Sequence, residues 1–327
     1  MNVLVVGGAG YIGSHAVKML EEAGHEVWVY DNLSRGHREA VRAEKLVIGD
    51  VADRAKLVAT MRQNRIDAVM HFAAFALVNE SVTDPALYYR NNVIAALELL
   101  DAMREAEVMR IVFSSTTATY GEPATVPIPE TTPQHPINPY GFTKLVIEQA
   151  LADYAAAYGL AYAALRYFNA AGADPSGNIG EDHEPESHLI PIVLQVALGQ
   201  REKITVYGDD YPTPDGTCVR DYIHVCDLGD AHLRALERLQ AGKGICLNLG
   251  TGRGTSVREI VEACREVTGH RIPETMGSRR AGDPPELIAD ARRAKTELGW
   301  VPKYQDVRSI VETAWNWHQN HPHGYRS

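Results

Sequence analysis

The sequence predicts an α/β fold in which a doubly wound parallel sheet is followed by a smaller C-terminal α/β domain. Three observations lead to this prediction. In the first half of the 327-residue chain, short β-branched segments alternate with longer segments that carry apolar residues at helical spacing. A glycine-rich segment, residues 7–13, joins the first predicted strand to the first predicted helix. After about residue 170, glycine, proline and acidic residues become frequent, which indicates longer loops.

The predicted strands of the first half are Val3–Val6, Glu26–Tyr30, Lys45–Ile48, Ala68–Phe72 and Arg110–Phe113. The predicted helices between them are Ile12–Glu22, Arg54–Arg62 and Pro85–Arg104. Because such crossovers are right-handed, the carboxyl ends of the strands lie along one edge of the sheet, where we expect the ligand site. Further helices are predicted at Leu189–Leu198, Cys226–Leu239, Val257–Val267 and Gln305–Asn320, with loops at 172–186 and 208–217. We assign residues 1–169, joined by part of 218–250, to the first domain and residues 170–327 to the second.

Composition and charge narrow the function classes. Hydrophobic residues make up 45% of the chain and charged residues 23%, which is ordinary for a soluble globular protein. No apolar run approaches the ~20 residues that span a membrane, and the opening MNVLVVGG lacks a basic leader and a cleavage site, so we interpret it as a strand. The net charge of −10 argues against nucleic acid as the main partner. We expect a cytoplasmic protein.

The cysteines and histidines do not predict a disulfide or a metal site. The four cysteines form no CxxC pair and no metal-ligand spacing, so we expect buried thiols in a reducing compartment. His318, His321 and His323 lie close together near the end of the chain, but no matching carboxylate or cysteine cluster accompanies them. We therefore expect no metal.

The segment GGAGYIG, residues 7–13, predicts a dinucleotide cradle. Gly7 permits a tight turn, Gly10 allows the backbone to approach a pyrophosphate, and Gly13 allows close helix packing. The helix that follows presents unpaired N–H groups and a positive dipole end. Asp31 ends the second predicted strand, where a carboxylate holds a ribose 2′-hydroxyl and repels the extra phosphate of NADP, which favours NAD. Asp50 ends the third strand and can reach the adenine.

The segment PYGFTK, residues 139–144, places Tyr140 and Lys144 one helical turn apart. A free phenol has a pKa near ~10 and is a poor base at neutral pH. We expect the nearby ammonium, together with the positive nicotinamide, to lower that pKa, so that Tyr140 can take a proton from a substrate hydroxyl. The segment SSTTATYG, residues 114–121, follows the fifth strand and brings the hydroxyl of Thr116 to the same edge.

The chain resembles the extended short-chain dehydrogenase/reductase family, and within it the UDP-glucose (UDP-galactose) 4-epimerases, nearly from end to end. The stretches that carry the resemblance are GGAGYIGSH, DNLSRGH, HFAA, NNV, FSSTTATYG, PYGFTK, LRYFN, YGDDYPTPDGTCVRDYIHV and RRAGDPPE. The resemblance implies a Rossmann-like domain, a tightly held NAD, a UDP-hexose substrate, and a homodimer formed by helices that include Pro85–Arg104 and Tyr140–Tyr158. It also implies the reaction. The sugar is oxidised at C4 to a 4-keto intermediate, rotates, and receives its hydride back on the other face, which interconverts UDP-glucose and UDP-galactose.

The resemblance assigns residues to the site. The cofactor set is Gly7, Gly10, Tyr11, Ile12, Gly13, Asp31, Asn32, Asp50, Val51, Phe72, Ala73, Ala74, Asn92, Ser114, Tyr140, Lys144, Tyr167 and Phe168. The substrate set is Thr116, Asn169, His188, Leu189, Thr205, Tyr207, Arg220, Arg280, Asp283 and Leu287. Arg220 and Arg280 would neutralise the diphosphate, and Asp283 would bind the uridine ribose. From the residues alone, Arg220 is equally suited to pair with Asp221.

Two positions depart from the family pattern. Ala76 replaces a lysine of the best-known bacterial members, so NAD could be held less tightly. Leu287 is intermediate between the large and small residues that exclude or admit N-acetylated sugars, so UDP-GlcNAc and UDP-GalNAc stay open as substrates. A 4,6-dehydratase is disfavoured because Thr117 and Ala118 replace its acidic pair. A UDP-pentose 4-epimerase and a non-catalytic NAD-binding regulatory protein of the same fold remain as alternatives.

Overall fold

The computed structural model describes residues 1–280 and 284–326. Its strands are β1 (Asn2–Val6), β2 (Glu26–Asp31), β3 (Leu46–Ile48), β4 (Ala68–His71), β5 (Arg110–Ser114), β6 (Ala161–Arg166), β7 (Asn169–Ala171), β8 (Ile204–Tyr207), β9 (Val219–His224), β10 (Gly244–Asn248), β11 (Gly254–Ser256), β12 (Glu274–Gly277) and β13 (Glu286–Leu287). Its α-helices are α1 (Tyr11–Glu22), α2 (Arg54–Gln63), α3 (Val78–Thr83), α4 (Pro85–Tyr88), α5 (Ala95–Glu105), α6 (Pro139–Tyr158), α7 (Leu189–Ala197), α8 (Val225–Arg238), α9 (Val257–Thr268), α10 (Arg292–Leu298) and α11 (Val307–Asn320).

The main sheet has seven strands in the order β10-β6-β5-β4-β1-β2-β3. Every neighbouring pair in it is parallel, as the alternation of strands and helices predicts. The strand order reverses between β1 and β4, which is where ligands bind in open sheets of this kind. The predicted doubly wound fold is confirmed. The edge strand β10 comes from the second half of the chain, within the 218–250 region that the sequence joins to the first domain.

Apolar side chains cover both faces of this sheet. Along β1, Val3 and Val5 contribute to one buried cluster while Leu4 and Val6 contribute to another, and all four are fully buried. The first cluster includes residues of α1 and α8, and the second includes residues of α2, α5 and α6. A strand buried on both faces must be apolar at every position, so the continuous valine and isoleucine runs follow from the layered architecture.

The second half of the chain forms its own small sheets and helical layer. Strand β9 pairs with β7 and β13 in parallel and with β11 antiparallel, while β8 and β12 form a separate pair. A third apolar cluster packs α7, α9 and α11 together. None of the helices within residues 1–280 and 284–326 has the length and apolar character that a membrane span requires.

The structure differs from the prediction in one long helix. The predicted helix Pro85–Arg104 consists of α4, a π-helical turn at Tyr89–Ile94, and α5. The reason lies at Asn92, whose buried side chain pairs with both backbone groups of Phe75, each at 2.9 Å. Such wide turns often occur at functional sites, and this one lies next to the cleft described below. Helices α3 and α10, strand β6 of the main sheet and strands β7 to β13 are not predicted from the sequence.

Candidate cofactor and substrate cleft

A cavity of about 700 Å³ opens at the carboxyl edge of the main sheet, against the second half of the chain. Many residues that the sequence assigns to the site line this cavity. On the cofactor side they are Gly7, Gly10, Tyr11, Ile12, Gly13, Asp31, Asn32, Asp50, Val51, Phe72, Ala73, Ala74, Ser114, Tyr140, Lys144, Tyr167 and Phe168. On the substrate side they are Thr116, Asn169, His188, Arg220, Arg280 and Leu287. Residues far apart in sequence therefore converge on one cleft.

The glycine-rich loop has the shape that a pyrophosphate cradle needs. Gly7 has a φ of +81°, and a Cβ there would lie 2.4 Å from the Ala73 amide nitrogen. A Cβ on Gly13 would lie 2.2 Å from the Gly7 carbonyl oxygen, so helix α1 packs directly on the loop. Gly10 is the N-cap of α1, and the first-turn N–H groups behind it are available to an anion. This geometry fits a dinucleotide.

Two carboxylates lie at the adenosine end of the cleft. Asp31 accepts hydrogen bonds from the amides of Ala9 (3.0 Å) and Leu33 (2.8 Å), which fixes it beside the glycine-rich loop. Burial raises its pKa, while those amide bonds favour the charged form. Asp50 accepts a bond from the Asn32 side chain at 3.1 Å. A fixed carboxylate at Asp31 can accept bonds from ribose hydroxyls and would repel a 2′-phosphate, so the set fits NAD.

Tyr140 and Thr116 meet at the centre of the cleft. Asn138 caps the start of α6 by accepting the Gly141 amide at 2.8 Å, and this cap places Tyr140 in the first helical turn beside the end of β5. The Thr116 hydroxyl lies near the Tyr140 phenol and acts to lower the pKa of Tyr140. A hydroxyl pair at this point can hold a substrate alcohol and move its proton.

In the protein without NAD, Lys144 does not bring the pKa of Tyr140 below its ordinary value, and the combined effect of Lys144 and the nicotinamide stays a prediction. Burial raises the pKa of Tyr140 to about 12, and the hydrogen bond with Thr116 offsets only part of this rise. Lys144 Nζ lies 6.0 Å from the centre of the Tyr140 ring and donates to the Ser114 carbonyl at 2.8 Å. Burial lowers the pKa of Lys144 to about 7, against an opposing effect of Glu148. Desolvation of both groups thus outweighs their mutual influence.

Neighbouring strands present the groups on the substrate side. In the parallel pair β9–β13, Leu287 lies in register with Arg220, so an apolar side chain and a guanidinium line the wall together. The Arg280 guanidinium lies 4.3 Å from the centre of the Tyr207 ring. Two guanidinium groups on one wall suit a diphosphate. Backbone hydrogen bonds fix the Asp221 carboxylate, because it accepts bonds from the amides of Thr251, Gly252 and Ala289. Asp221 therefore does not depend on Arg220 for its position.

Several residues that the sequence assigns to the site do not line the cavity in the part of the chain that the structure describes. Asn92 is buried behind it and orients Phe75 through the paired bonds given above. Leu189 begins α7 next to His188. Thr205 and Tyr207 lie on β8, and Tyr207 approaches the cleft only through Arg280. The predicted ribose ligand Asp283 lies outside the described residues.

Sequence reasoning missed two groups of residues. Glu148 and Arg166 form a buried ion pair behind Lys144, with Nε–Oε1 at 2.9 Å and Nη2–Oε2 at 2.5 Å. The signal was the position of Glu148 on the same helical face as Tyr140 and Lys144, four residues further along. Glu181 and His183 also line the cleft. Their signal was the segment EDHEPESH, residues 181–188, which holds four side chains able to bind a cation.

Comparison with known proteins identifies the family. Residues 3–250 match the model of the NAD dependent epimerase/dehydratase family. UDP-glucose 4-epimerase from Halalkalibacterium halodurans is 57% identical over 326 residues, which cover 99% of this chain and 98% of that protein. The chain belongs to this family. A crystal structure of a UDP-glucose 4-epimerase superposes with a TM-score of 0.97 at 55% identity, covering 100% of both chains. That of the Bifidobacterium longum enzyme, in complex with NAD+ and UDP, has a TM-score of 0.94 at 40% identity and covers 99% and 100% of the two chains.

This membership confirms the resemblance drawn from the motifs and places the chain among NAD-dependent epimerases. NAD is the cofactor of the cleft, in agreement with the cradle and with Asp31. The alternative of a non-catalytic protein is disfavoured by the match to enzymes over the whole chain and by the presence of the hydroxyl pair and Lys144 in one cavity.

Proposed function

We propose that this chain interconverts UDP-glucose and UDP-galactose, with Tyr140 as the acid–base group at the sugar 4-hydroxyl. One observation supports this above the others. The hydroxyl side chains of Tyr140 and Thr116 line a single cavity, together with the dinucleotide cradle and with Arg220 and Arg280. A hydroxyl held between a cofactor site and an anion-binding wall suits oxidation of an alcohol on a nucleotide sugar.

When bound, NAD supplies the hydride acceptor for C4 and a positively charged ring beside Tyr140. Gly7, Gly10 and Asp31 would hold it, at the cradle and at the ribose. Tyr140 takes the proton of the 4-hydroxyl, keeps it while the sugar is a ketone, and returns it afterwards. Thr116 orients the Tyr140 oxygen and the sugar 4-oxygen. Lys144, when it is protonated, stabilises the Tyr140 phenolate. The protein alone holds the Tyr140 pKa at about 12, so added positive charge in the cleft is what makes this base effective.

The substrate side would bind the nucleotide tightly and the sugar weakly. Arg220 and Arg280 neutralise the diphosphate, and the proposed contacts of Asn169 and His188 lie at the junction between diphosphate and sugar. A firm hold on the diphosphate keeps the reacting carbon close to Tyr140 while the sugar turns about its phosphate link. The remaining substrate residues of the sequence prediction (Leu189, Thr205, Tyr207 and Asp283) belong to this proposal as the outer part of the uridine site.

The test is Tyr140→Phe, with Tyr158→Phe as the matched control at the exposed end of the same helix. We expect Tyr140→Phe to lose at least about 10³-fold in kcat on UDP-galactose, because the proton acceptor is gone. It should retain NAD, measured by absorbance of the cofactor released on heat denaturation. Tyr158→Phe should behave as the unmodified protein in both assays. Full activity of Tyr140→Phe would contradict the assignment of the base, and wild-type protein that carries NAD but turns over no UDP-sugar would favour the regulatory alternative.

The range of sugars accepted depends on Leu287. Its side chain is partly buried on the cleft wall, in register with Arg220. We propose that the pocket also admits UDP-GlcNAc and UDP-GalNAc at lower rates, since one pocket side chain of intermediate size changes discrimination by about tenfold to a hundredfold. A panel of UDP-hexoses, their N-acetyl forms and UDP-pentoses measures this directly. Turnover restricted to pentoses would replace the proposed substrate.

We also propose a cytoplasmic homodimer. All four cysteines are free thiols, which suits a reducing compartment. The helical region from α3 to α6 exposes large apolar side chains: Val82 is 60% exposed, Ile94 53% and Phe142 44%. Tyr89 and Phe142 contact each other edge to face, so exposed apolar groups of two helical segments lie on one surface. A solution mass of two chains, reduced to one chain by Ile94→Asp together with Phe142→Asp, would support this interface.

The domain boundaries are part of the same proposal. We assign residues 1–169 and part of 218–250 to the cofactor domain, and residues 170–327 to the substrate domain. The placement of β10 in the main sheet and the packing of α8 against α1 support the inclusion of the 218–250 region.

A further inference from the structure

Four potential metal ligands surround one point on the wall of the cleft. Glu181, His183, Glu186 and His188 each offer one ligand atom, and these atoms all lie within 4.8 Å of one another. They come from a single eight-residue segment between β7 and α7, with the spacing E-x-H-x-x-E-x-H. The side chains of Glu181 and Glu186 are 5% and 4% exposed, so both carboxylates are largely shielded from water.

The imidazole–carboxylate separations are of the size found in a tetrahedral cation site, and the four ligand atoms all lie within 4.8 Å of one another. His188 Nδ1 lies 2.8 Å from Glu181 Oε1 and 3.2 Å from Glu186 Oε1. His183 Nδ1 lies 3.2 Å from Glu181 Oε1 and 3.8 Å from Glu186 Oε2. Zinc bonds of about 2.0–2.1 Å to nitrogen and oxygen place adjacent ligand atoms of a tetrahedron about 3.3 Å apart. The four measured nitrogen–oxygen separations, 2.8 to 3.8 Å, lie on both sides of this ligand–ligand distance.

Hydrogen bonding does not account for the cluster. Glu181 Oε1 and the Nδ1 atoms of His183 and His188 are buried, yet no donor or acceptor in the described part of the chain has hydrogen-bond geometry to them. The imidazole nitrogens and carboxylate oxygens of the cluster are paired at 2.8–3.8 Å as ion pairs, which leaves these three atoms without an assigned hydrogen-bond partner. Buried polar atoms without partners are rare, and three that face a common point indicate a missing partner at that point.

The surroundings hold the ligands in place. Glu186 Oε1 accepts the amides of Ser187 and His188, both at 2.7 Å, which fixes the carboxylate. The edge-to-face contact of Tyr11 with His183 has ring centres 6.0 Å apart. Trp317 Nε1 donates to the Glu181 carbonyl at 3.0 Å. Supporting contacts of this kind orient the ligands of established metal sites.

We propose that Glu181, His183, Glu186 and His188 form a structural site for a divalent transition-metal cation, and that zinc is the ion it takes. Two imidazoles and two carboxylates satisfy four-coordinate zinc, whereas magnesium and calcium require more oxygen ligands than the cluster offers. Four protein ligands leave no open position, so the ion stabilises the protein and does not react. This proposal goes against the sequence prediction of no metal. It shares His188 with the substrate contacts proposed above, so the test below measures metal content and thermal stability and not activity.

The position of the site explains what the ion would do. The segment belongs to the long connection between Ala171 and Leu189, which has no regular structure and forms part of the cleft wall. It touches the glycine-rich loop through Tyr11 and the C-terminal helix α11 through Trp317. A cation that joins residue 181 to residue 188 would stiffen this connection and tie the cofactor loop to the second half of the chain.

The experiment measures metal content and thermal stability of the full chain, purified without a polyhistidine tag. We expect about one zinc per chain by inductively coupled plasma mass spectrometry, and a value near zero for His183→Gln. The matched control is His270→Gln, an exposed histidine outside the cluster, which should keep its zinc. After treatment with a chelator, micromolar Zn²⁺ should raise the Tm of the wild-type protein by about 4 °C, the shift for a ligand at a hundred times its Kd, while Mg²⁺ should not.

Glu186→Gln serves as a second variant if His183→Gln does not fold, and the titration of the chelator-treated wild-type protein needs no variant. Equal zinc content and equal zinc-dependent shifts in wild-type and His183→Gln would overturn the proposal. Wild-type protein that contains no stoichiometric metal and responds only to millimolar zinc would overturn it as well.

Discussion

Glu148→Gln should destabilise this protein strongly, because it leaves a buried guanidinium without its counter-charge. The side chains of Arg166 and Glu148 are 6% and 5% exposed, and two bonds join them. Removal of one partner from a buried ion pair costs about 3–5 kcal/mol. The unfolding entropy of a chain of 327 residues is about 0.7 kcal/mol/K, so a loss of 4 kcal/mol lowers the Tm by about 6 °C. Ser115 and Gln134, which also donate to Glu148, lose part of their bonding.

Differential scanning calorimetry on three further variants tests this reasoning. Glu262→Gln removes the partner of Arg265 from a pair on α9 in which Glu262 is 62% exposed, and it should change the free energy of unfolding by less than about 0.5 kcal/mol. The double variant Glu148→Leu with Arg166→Met removes both charges and should be less destabilised than Glu148→Gln or Arg166→Met alone. If Glu148→Gln melts within 1 °C of wild type, or the double variant loses the sum of the two single effects, the buried charge is not what stabilises α6 on the sheet.

Three more predictions concern pH, the cradle and the sugar pocket. Stability measured by urea unfolding should fall below pH 6.5 by about 1.4 kcal/mol per pH unit for each buried histidine whose pKa is lowered to about 3 or about 4, because the unfolded state then binds more protons than the native state. These histidines are His15, His71, His224 and His232; a flat profile would contradict this. Gly13→Ala should lower the NAD content and also lower the Tm of the NAD-free protein, since its Cβ would meet the Gly7 carbonyl at 2.2 Å; Gly10→Ala, with 3.4 Å to the same atom, should lose NAD but keep the Tm of the NAD-free wild-type protein. Leu287→Ala should raise the kcat/KM ratio of UDP-GlcNAc to UDP-glucose about tenfold and Leu287→Tyr should lower it; unchanged ratios would remove this residue from the sugar pocket.

The fold could be predicted from the sequence because its main sheet has strong local signals. Strands buried on both faces need apolar residues at every position, and the segments that became β1, β2 and β5 show this directly. Strands β6 to β13 are not predicted, since segments of two to six residues are too short to establish a period. The break between α4 and α5 could not be predicted, because it accompanies paired bonds between Asn92 and the backbone of Phe75, which lies seventeen residues earlier.

The identities of the site residues are easier to predict from the sequence than their pKa values. Glycines at fixed spacing and a Tyr-Lys pair at one helical turn are local patterns, and the strand order brings them to one edge. The pKa of Tyr140 depends instead on how far the folded chain removes it from water, which no local pattern records. The pattern of residues 181–188 does not by itself predict a cation site, for a related reason. Only the folded loop brings the carboxylates of Glu181 and Glu186 to the imidazoles of His183 and His188.

The two pKa shifts in the cleft bear on how the reaction is controlled. Burial disfavours the charged form of both Tyr140 and Lys144, so the side chains of the protein by themselves favour a neutral phenol and a partly neutral amine at pH 7. The active pair requires the opposite, a phenolate beside an ammonium. Each positive charge brought near Tyr140 lowers its pKa, and a phenolate in turn raises the pKa of Lys144, so the two ionisations favour each other. In the proposed mechanism, the positive charge of oxidised NAD would lower the pKa of Tyr140 and so populate the phenolate that accepts the sugar proton. Loss of that charge on reduction would raise the pKa again, so that Tyr140 would keep the proton while the sugar is a ketone.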